Sequence, residues 1–241
     1  LLTVQLPESL TSVGECTFSY CSRLASVDFP SGVTIIKSGA FSNCESLSSI
    51  VLPTELVSIG EYAFYGCEKL KEINIPASVD SIGEAAFLFC DRLQQISVEK
   101  DNRGYMSIDG VLFTRDCSTL ICYPAGKTET AYNVPDTVLA IGDYAFAYST
   151  TVQNVVVPYS VTEIGISAFT GCESLLSVEL AEGLRSIGSE TFSECDYLSS
   201  ITLPASLVSL GDGTFVSCEG LTDIYVKEDS SRYKSIDGVL F

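Results

Sequence analysis

The chain of 241 residues repeats itself every 23 residues. The stretch IGEYAFYGC at 59–67 returns as IGEAAFLFC at 82–90 and as IGSETFSEC at 187–195. One phenylalanine marks each copy at this constant step, in two series: Phe18, Phe41, Phe64 and Phe87, then Phe146, Phe169, Phe192 and Phe215. A fixed period of this size is typical of solenoids, whose units bury their apolar edges only by stacking on one another. The repeat therefore predicts a solenoid rather than an ordinary globular core.

Each apolar position of a repeat has a predicted role. In INI at 73–75 the alternation predicts a short strand with isoleucine inward, and Pro76 ends it because proline lacks the N–H donor that a sheet needs. We expect Gly60 to supply a turn conformation that is costly for other residues. The segment Glu61 to Lys69 is predicted to form one or two short helical turns that carry Phe64 inward, where it stacks between the phenylalanines of the neighbouring coils.

An insertion interrupts the repeat between residues 99 and 133. The step from Phe87 to Phe146 is 59 residues, which is 23 plus 36. The stretch VEKDNRGYMSIDGVLF at 98–113 reappears as VKEDSSRYKSIDGVLF at 226–241, so the insertion belongs to a second, longer period. Asp109-Gly110 between apolar residues predicts a two-residue hairpin turn, and a further strand pair is expected near 111–113 and 120–123. We expect one solenoid domain over residues 1–241, part of a longer array, that contains this insertion.

The repeat resembles a known class of leucine-rich repeats. The strand pattern L-x-x-I-x-L, the proline after it and the return IGxxAFxxC are similar to the BspA-like leucine-rich repeats, which occur in surface and secreted proteins of anaerobic bacteria and some protists. The resemblance implies a right-handed β/α solenoid, with short parallel strands on one face, short helical turns and loops on the other, and a hairpin insertion. It also implies an extracellular or cell-surface location and a non-enzymatic role.

Composition excludes several functions. Thirty-one acidic residues against 13 basic ones give a net charge of −18, which opposes binding to nucleic acid or anionic membranes. The apolar runs are only a few residues long, so membrane insertion is not expected. The chain has no histidine, which removes the commonest member of nucleophilic triads and zinc sites. We expect no enzyme activity, no cofactor and no metal.

Ten cysteines raise the question of redox or metal chemistry. Seven occupy one slot of the repeat, three residues after the phenylalanine, and Ser149 takes the eighth. A slot that accepts cysteine or serine indicates a small buried position, and stacked parallel side chains point in the same direction, which opposes disulfides. A line of thiolates is also a poor tetrahedral zinc site. Pairing of Cys117 with Cys122 in the insertion stays open.

Two further groups carry potential chemistry. The acidic runs at 99–101 and 227–229 offer carboxylates for calcium but match no known calcium-loop spacing, and solvated loop charge explains them better. The insertion also contains residues that an enzyme based on carboxylates could use: Tyr105, Asp109, Asp116, Lys127, Glu129 and Tyr132. The hairpin of the family that the repeat resembles explains their presence without catalysis.

The outward positions of the strands are the remaining candidate surface. Strands line the inner, often binding, side of such solenoids. The predicted partner-binding residues on this strand face are Asp28, Glu72, Asn74, Gln95, Glu179, Thr202, Asp223 and Tyr225. The expected partner is a host or extracellular-matrix protein or a glycan. Two alternatives remain: a structural spacer that displays another domain, and an intracellular regulator or sensor, which free thiols would permit.

Overall fold

The computed structural model describes residues 2–241 and contains short strands and turns. Backbone contacts divide the chain into two compact units, which we call unit 1 (Leu1–Asp116 with Cys122–Lys127) and unit 2 (Cys117–Ile121 with Thr128–Phe241). Each unit is built from stacked coils that repeat the same path. The sequence-based expectation of one domain over residues 1–241 stays a prediction.

Unit 1 carries two rows of parallel strands and a hairpin. The long row consists of the L-x-x-I-x-L strands, and the short row consists of two-residue strands that precede the slot of the repeat glycine, which Lys37 fills after β4. The long row is β1 Thr3–Gln5, β3 Ser26–Asp28, β6 Glu72–Ile75 and β8 Gln95–Val98, and the short row is β2 Ser12–Val13, β4 Ile35–Ile36, β5 Ser58–Ile59 and β7 Ser81–Ile82. The hairpin is β9 Tyr105–Ile108 and β10 Val111–Thr114.

Unit 2 repeats this plan. Its short row is β11 Thr119–Cys122, whose last residue is assigned to unit 1, followed by β13 Ala140–Ile141, β15 Glu163–Ile164, β17 Ser186–Ile187 and β19 Ser209–Leu210. Its long row is β12 Ala131–Asn133, β14 Asn154–Val157, β16 Ser177–Leu180, β18 Ser200–Leu203 and β20 Asp223–Val226. A second hairpin pairs β21 Ser235–Ile236 with β22 Val239–Leu240. The sequence analysis did not foresee the short row.

The phenylalanine of each repeat forms a stacked spine, as predicted. Phe64 is fully buried and its ring lies parallel to those of Phe41 and Phe87, with centroids 5.6 and 5.9 Å away. Phe169 stacks in the same way between Phe146 and Phe192 in unit 2. Proline ends the strands as expected, since β6 stops immediately before Pro76, whose carbonyl oxygen then accepts the N–H of Val79.

The predicted helical turn at Glu61 to Lys69 is wrong, because residues 2–241 contain no helix. The N–H groups of Tyr62, Phe64 and Gly66 donate to carbonyls of the next coil, so they are not available for a helix. The residues between them close tight turns instead, as when Ala63 N–H donates to Gly60 O. This alternation requires positive φ two residues before and two after the spine phenylalanine, and Tyr62 (54°) and Gly66 (67°) show it.

The role predicted for the repeat glycine is also wrong. Gly60 does not have a positive φ. A Cβ at this position would lie 2.5 Å from Ser38 N and 2.6 Å from the carbonyl carbon of Lys37 in the preceding coil. Gly188 is in the same situation, 2.6 Å from the carbonyl carbon of Gly165. Glycine occupies this slot because the coils approach closely here, not because the turn demands it.

The hairpin predicted at Asp109-Gly110 is confirmed. Both residues have positive φ (50° and 80°), as a two-residue turn of the mirror-image type requires, and Ile108 pairs with Val111. The buried Lys127 holds the turn, since its Nζ donates to Asp109 O at 2.8 Å. The same turn recurs at Asp237-Gly238.

One buried amide fixes the base of the first hairpin. Asn102 donates through Nδ2 to Pro76 O (2.7 Å) and Val79 O (2.9 Å), and its Oδ1 accepts the N–H groups of Gly104 and Tyr105. The side chain thereby joins the insertion to the coil before it. Its lone position in a polar run gave no indication of this role.

Candidate functional site

The strand face presents the predicted binding residues at outward positions of the long rows. Inward strand residues such as Ile73 and Val178 are buried, whereas seven of the eight predicted residues are exposed and Asp223 is half-buried. The structure divides them between the units. Unit 1 holds Asp28, Glu72, Asn74 and Gln95, and unit 2 holds Glu179, Thr202, Asp223 and Tyr225.

In unit 1 three of the four predicted residues lie together. Glu72 is paired in register with Gln95, and Asn74 with Ser97, whose hydroxyl donates to Asn74 Oδ1 at 2.8 Å. Asp28 lies apart from them, because its strand β3 pairs with β1 and places it beside Gln5. Glu72, Asn74 and Gln95 therefore form a small polar surface with one carboxylate.

In unit 2 the strand face forms an open groove of about 580 Å³. It contains Val156, paired in register with Glu179, and it continues across Thr202. Tyr225, 48% exposed, is paired in register with Thr202 on the next strand. An apolar methyl surface, a carboxylate, a hydroxyl and a phenol ring thus occur in succession on one face.

Lys227 closes one side of this groove and was not predicted. Its Nζ lies 3.4 Å from Glu182 Oε1, and both side chains are about half exposed. Burial acts to raise the pKa of Glu182, but the N–H groups of Ala205 and Ser206 and the Lys227 ammonium hold that pKa below its usual value. Lys227 lies in the slot that proline fills in most repeats. This departure from the repeat was the signal in the sequence that could have pointed to it.

The hairpin turns lie against the strand rows and restrict two of the predicted residues. Ile96 N–H donates to Gly110 O, and a Cβ on Gly110 would lie 3.3 Å from Gln95 Cγ. In unit 2, Ile224 N–H donates to Gly238 O, and the Asp223 carboxylate packs against Gly238 while it accepts the hydroxyl of Thr222. Gln95 and Asp223 therefore border a hairpin rather than stand free on the face.

The cysteine slot is a row of buried thiols that bond to the neighbouring coil. Cys67 Sγ donates to Phe41 O at 3.3 Å and Cys90 Sγ to Phe64 O at 3.2 Å, and the same bond recurs in unit 2. Burial raises the pKa of Cys172 to about 12. All ten cysteines are free, including Cys117 and Cys122. The row is thus a packing and hydrogen-bonding device, which gives the predicted small buried slot a physical reason.

The other chemical candidates have structural contacts. Tyr105 OH accepts Ile82 N–H, and Asp116 accepts the hydroxyl of Thr114. In the acidic run at 99–101, Glu99 accepts Ala77 N–H at 2.9 Å. Across residues 2–241 no three cysteine or carboxylate side chains are grouped as metal ligands. Within the same described range, no helix has the length and apolar character needed to cross a bilayer.

Comparison with solved structures finds the same architecture in bacterial proteins. A leucine-rich repeat protein from Eubacterium ventriosum is 27% identical with a TM-score of 0.83, over 94% of this chain and 66% of that one. A leucine-rich cell surface protein from Faecalibacterium prausnitzii is 27% identical with a TM-score of 0.65, over 94% and 79% of the two chains. The pneumococcal vaccine antigen PcpA shares the fold at 24% identity and a TM-score of 0.75, over 95% of this chain and 51% of its own. No curated protein matches the chain significantly.

The sequence itself matches one family. The description of that family is "BspA type Leucine rich repeat region", and the match comprises six copies over residues 1–119 and 127–237. These ranges contain both phenylalanine spines, the whole thiol slot and the strand rows apart from most of β11. The chain belongs to the BspA-type leucine-rich repeat family.

Proposed function

We propose that this chain is a non-enzymatic binding module of a secreted or cell-surface protein, and that the strand face of unit 2 binds a protein partner. The observation that carries the proposal is the open groove of about 580 Å³ across β14, β16 and β18. The F. prausnitzii relative, named as a leucine-rich cell surface protein, supports the location.

The chemistry of the groove favours a protein rather than a glycan. Val156, Glu179 and Thr202 offer an apolar contact, a charge and a hydrogen-bonding group in one row, as the mixed surfaces of protein interfaces do. Flat aromatic platforms for sugar stacking are absent from the residues that line it. Tyr225 at the side of the row is the type of residue that contributes most at interfaces. In unit 1, Glu72, Asn74 and Gln95 are a second proposed set of binding residues, on that unit's own strand face.

Binding to immobilised extracellular-matrix proteins, measured by surface plasmon resonance, tests the proposal. A variant with Glu72→Lys, Glu179→Lys and Tyr225→Ala, the strand-face variant, should bind at least about tenfold more weakly, since one central interface residue contributes roughly 2 kcal/mol. Asp223 is left unchanged because it packs against the hairpin turn at Gly238.

A matched variant controls for charge. Glu163→Lys and Glu173→Lys make the same charge change as the two reversals of the strand-face variant, at exposed positions off the strand face. This control should bind as the unchanged chain does. Equal losses in both variants would show a nonspecific charge effect. Undiminished binding by the strand-face variant contradicts the proposal and favours the spacer role.

A further inference from the structure

A second surface of unit 1 carries aromatic side chains on the turn segments instead of the strands. Tyr62 and Tyr65 lie with ring centroids 5.9 Å apart at 72°, and Tyr65 and Phe89 lie 5.1 Å apart at 70°. Tyr20 is 78% exposed and Tyr62 is 40% exposed. Burial raises the pKa of Tyr65, and the nearby phenol groups of Tyr20 and Tyr62 raise it further. We call these four residues the aromatic cluster.

The fold does not require this cluster. The slot of Tyr65, one residue after the spine phenylalanine, holds small side chains in three coils of unit 2: Ala147, Thr170 and Ser193. The slot of Phe89 holds Tyr148, Gly171 and Glu194 in these three coils. The backbone bonds are nevertheless the same, since Phe64 N–H donates to Ala86 O and Phe169 N–H donates to Thr191 O. An aromatic ring in the slot of Tyr65 occurs only in this coil, whereas the slot of Phe89 is aromatic in three coils, so the repeat does not require the Tyr65–Phe89 pair.

Backbone conformation also argues against a purely structural role. Tyr20, Tyr62 and Phe89 have φ of 58°, 54° and 58°. Bulky side chains are disfavoured in this left-handed region, where glycine and asparagine are better tolerated. Gly66 and Asn43 occupy the same slot as Tyr20 and Phe89 in the intervening coils. Tyrosine and phenylalanine here oppose local preference without adding to the buried spine.

Acidic residues surround the cluster. The four turn segments at 15–22, 38–45, 61–68 and 84–91 contain six acidic residues and no basic one. Glu61 and Glu84 precede the cluster along their coils, and Tyr62 N–H donates to the backbone oxygen of Glu84 at 3.0 Å. Glu68 and Asp91 follow it, and burial together with the Glu68 charge raises the pKa of Asp91. Basic residues lie directly outside these segments, at Arg23, Lys37, Lys69 and Arg92, so along the segments 61–68 and 84–91 the carboxylates are closer to the rings.

This combination of rings and charges selects among occupants. A second copy of the chain is disfavoured, because each copy carries a net charge of −18. A neutral glycan needs a flat ring face, whereas rings at 72° and 70° share no common plane. A guanidinium group is attracted to the faces of aromatic rings and pairs with carboxylates through its planar N–H groups.

We propose that the aromatic cluster with its flanking carboxylates binds an extended, arginine-containing segment of a partner protein. The rings contact the guanidinium faces, and Glu61, Glu84, Glu68 and Asp91 supply the opposite charge. This surface is separate from the strand face, so its role does not depend on the function proposed above.

Isothermal titration calorimetry with a synthetic peptide tests the proposal. The probe is an octapeptide of alternating arginine and glycine, and its matched control has glutamine in place of arginine. The unchanged chain should bind the arginine peptide, more weakly as NaCl is raised, and should bind the glutamine peptide at least tenfold more weakly. The double variant Tyr65→Ser with Phe89→Asn should lose about 4- to 25-fold in affinity, at two- to five-fold per ring.

The variants are chosen so that folding is not in question. Serine and asparagine are the side chains of Ser42 and Asn43 in the same slots of the Phe41 coil, and circular dichroism checks that the fold is kept. The single variant Tyr65→Phe keeps the ring and should bind the arginine peptide as the unchanged chain does. Tyr197→Ser removes a tyrosine that is 67% exposed in unit 2 and should leave the affinity unchanged.

Several results would overturn the proposal. These are equal binding of both peptides, an unchanged affinity in the double variant, or an equal loss in Tyr197→Ser. The chain can also be tested with the neutral oligosaccharide maltoheptaose and, for self-association, by sedimentation velocity. If the double variant abolishes either of these interactions and still binds the arginine peptide, the cluster has another occupant. The strand-face variant should still bind the peptide, so failure of one proposal is distinguishable from failure of the other.

Discussion

Truncation of Phe64 tests the stacked spine on which the whole architecture depends. The ring is fully buried and lies between Phe41 and Phe87 at 5.6 and 5.9 Å, within 5° of parallel to each. Replacing a buried phenylalanine by alanine removes its burial and leaves a cavity, at a cost of about 3–5 kcal/mol. Each lost ring contact accounts for roughly 0.5–1.5 kcal/mol of this beyond the buried area. We therefore expect Phe64→Ala to lose about 3–5 kcal/mol of unfolding free energy.

Urea denaturation followed by tyrosine fluorescence and far-ultraviolet circular dichroism measures this loss, since the chain has no tryptophan. Phe18→Ala is the control, because Phe18 is only partly buried and stacks on Phe41 at 5.3 Å. Its loss should be clearly smaller. Phe64→Leu, which keeps most of the volume, should cost less than about 1.5 kcal/mol.

Two outcomes would refute this reasoning. One is a loss below about 1 kcal/mol for Phe64→Ala, the range of an unremarkable substitution. The other is a loss at Phe18 as large as that at Phe64. The slope of free energy against urea must also agree between variants, because stacked repeats can unfold in parts and a single free energy then loses its meaning.

Two further predictions concern the close approach of coils and the thiol row. Gly60→Ala should destabilise the protein by about 1–3 kcal/mol, because the new methyl group is overpacked against Ser38. Gly142→Ala should lose less unfolding free energy, since a Cβ there would lie 3.1 Å from its nearest atom, Leu120 O. Urea denaturation compares the two variants, and equal losses would contradict the close-approach explanation. Burial raises the pKa of Cys172 from about 9 to about 12. Between these two pH values the thiol loses its proton in the unfolded state but not in the folded state. Its contribution to stability is therefore complete below pH 9 and is lost as the pH rises from 9 towards 12, at up to about 1.4 kcal/mol per pH unit. Cys172→Ala should therefore show a shallower alkaline loss of unfolding free energy than the unchanged chain between pH 8 and 10.5; identical slopes would show that the thiol titrates normally.

Most of the coil could be predicted because each slot has one dominant physical requirement. The period of the apolar residues predicts the spine phenylalanine and the strand at 73–75. The missing N–H donor of Pro76 predicts where that strand ends. The hairpin at Asp109-Gly110 follows from residues that tolerate positive φ. These requirements are local, so one sequence displays them.

The turn segment was mispredicted because its hydrogen bonds go to another coil. From Glu61 to Lys69 the chain has helix-compatible residues, and only the recurrence of glycine or asparagine at Asn43, Gly66 and Gly171 indicates a left-handed conformation. The reason for Gly60 is likewise a contact 22 residues away in the chain. Lys227 in the groove was missed because the prediction considered strand positions and not the slot after the strand.

The thiol row also changes what the cysteine count indicates about cellular location. Thiolate, not thiol, is the form that oxidises, and burial raises the pKa of Cys44 and Cys172 to about 12. Each of these sulfurs also points at a carbonyl of the neighbouring coil, so adjacent thiols do not face one another. Buried, protonated thiols react slowly with oxidants, so free cysteines in this row do not by themselves favour the intracellular sensor. Cys16 is the exposed thiol, so we expect oxidants to reach it before the buried row.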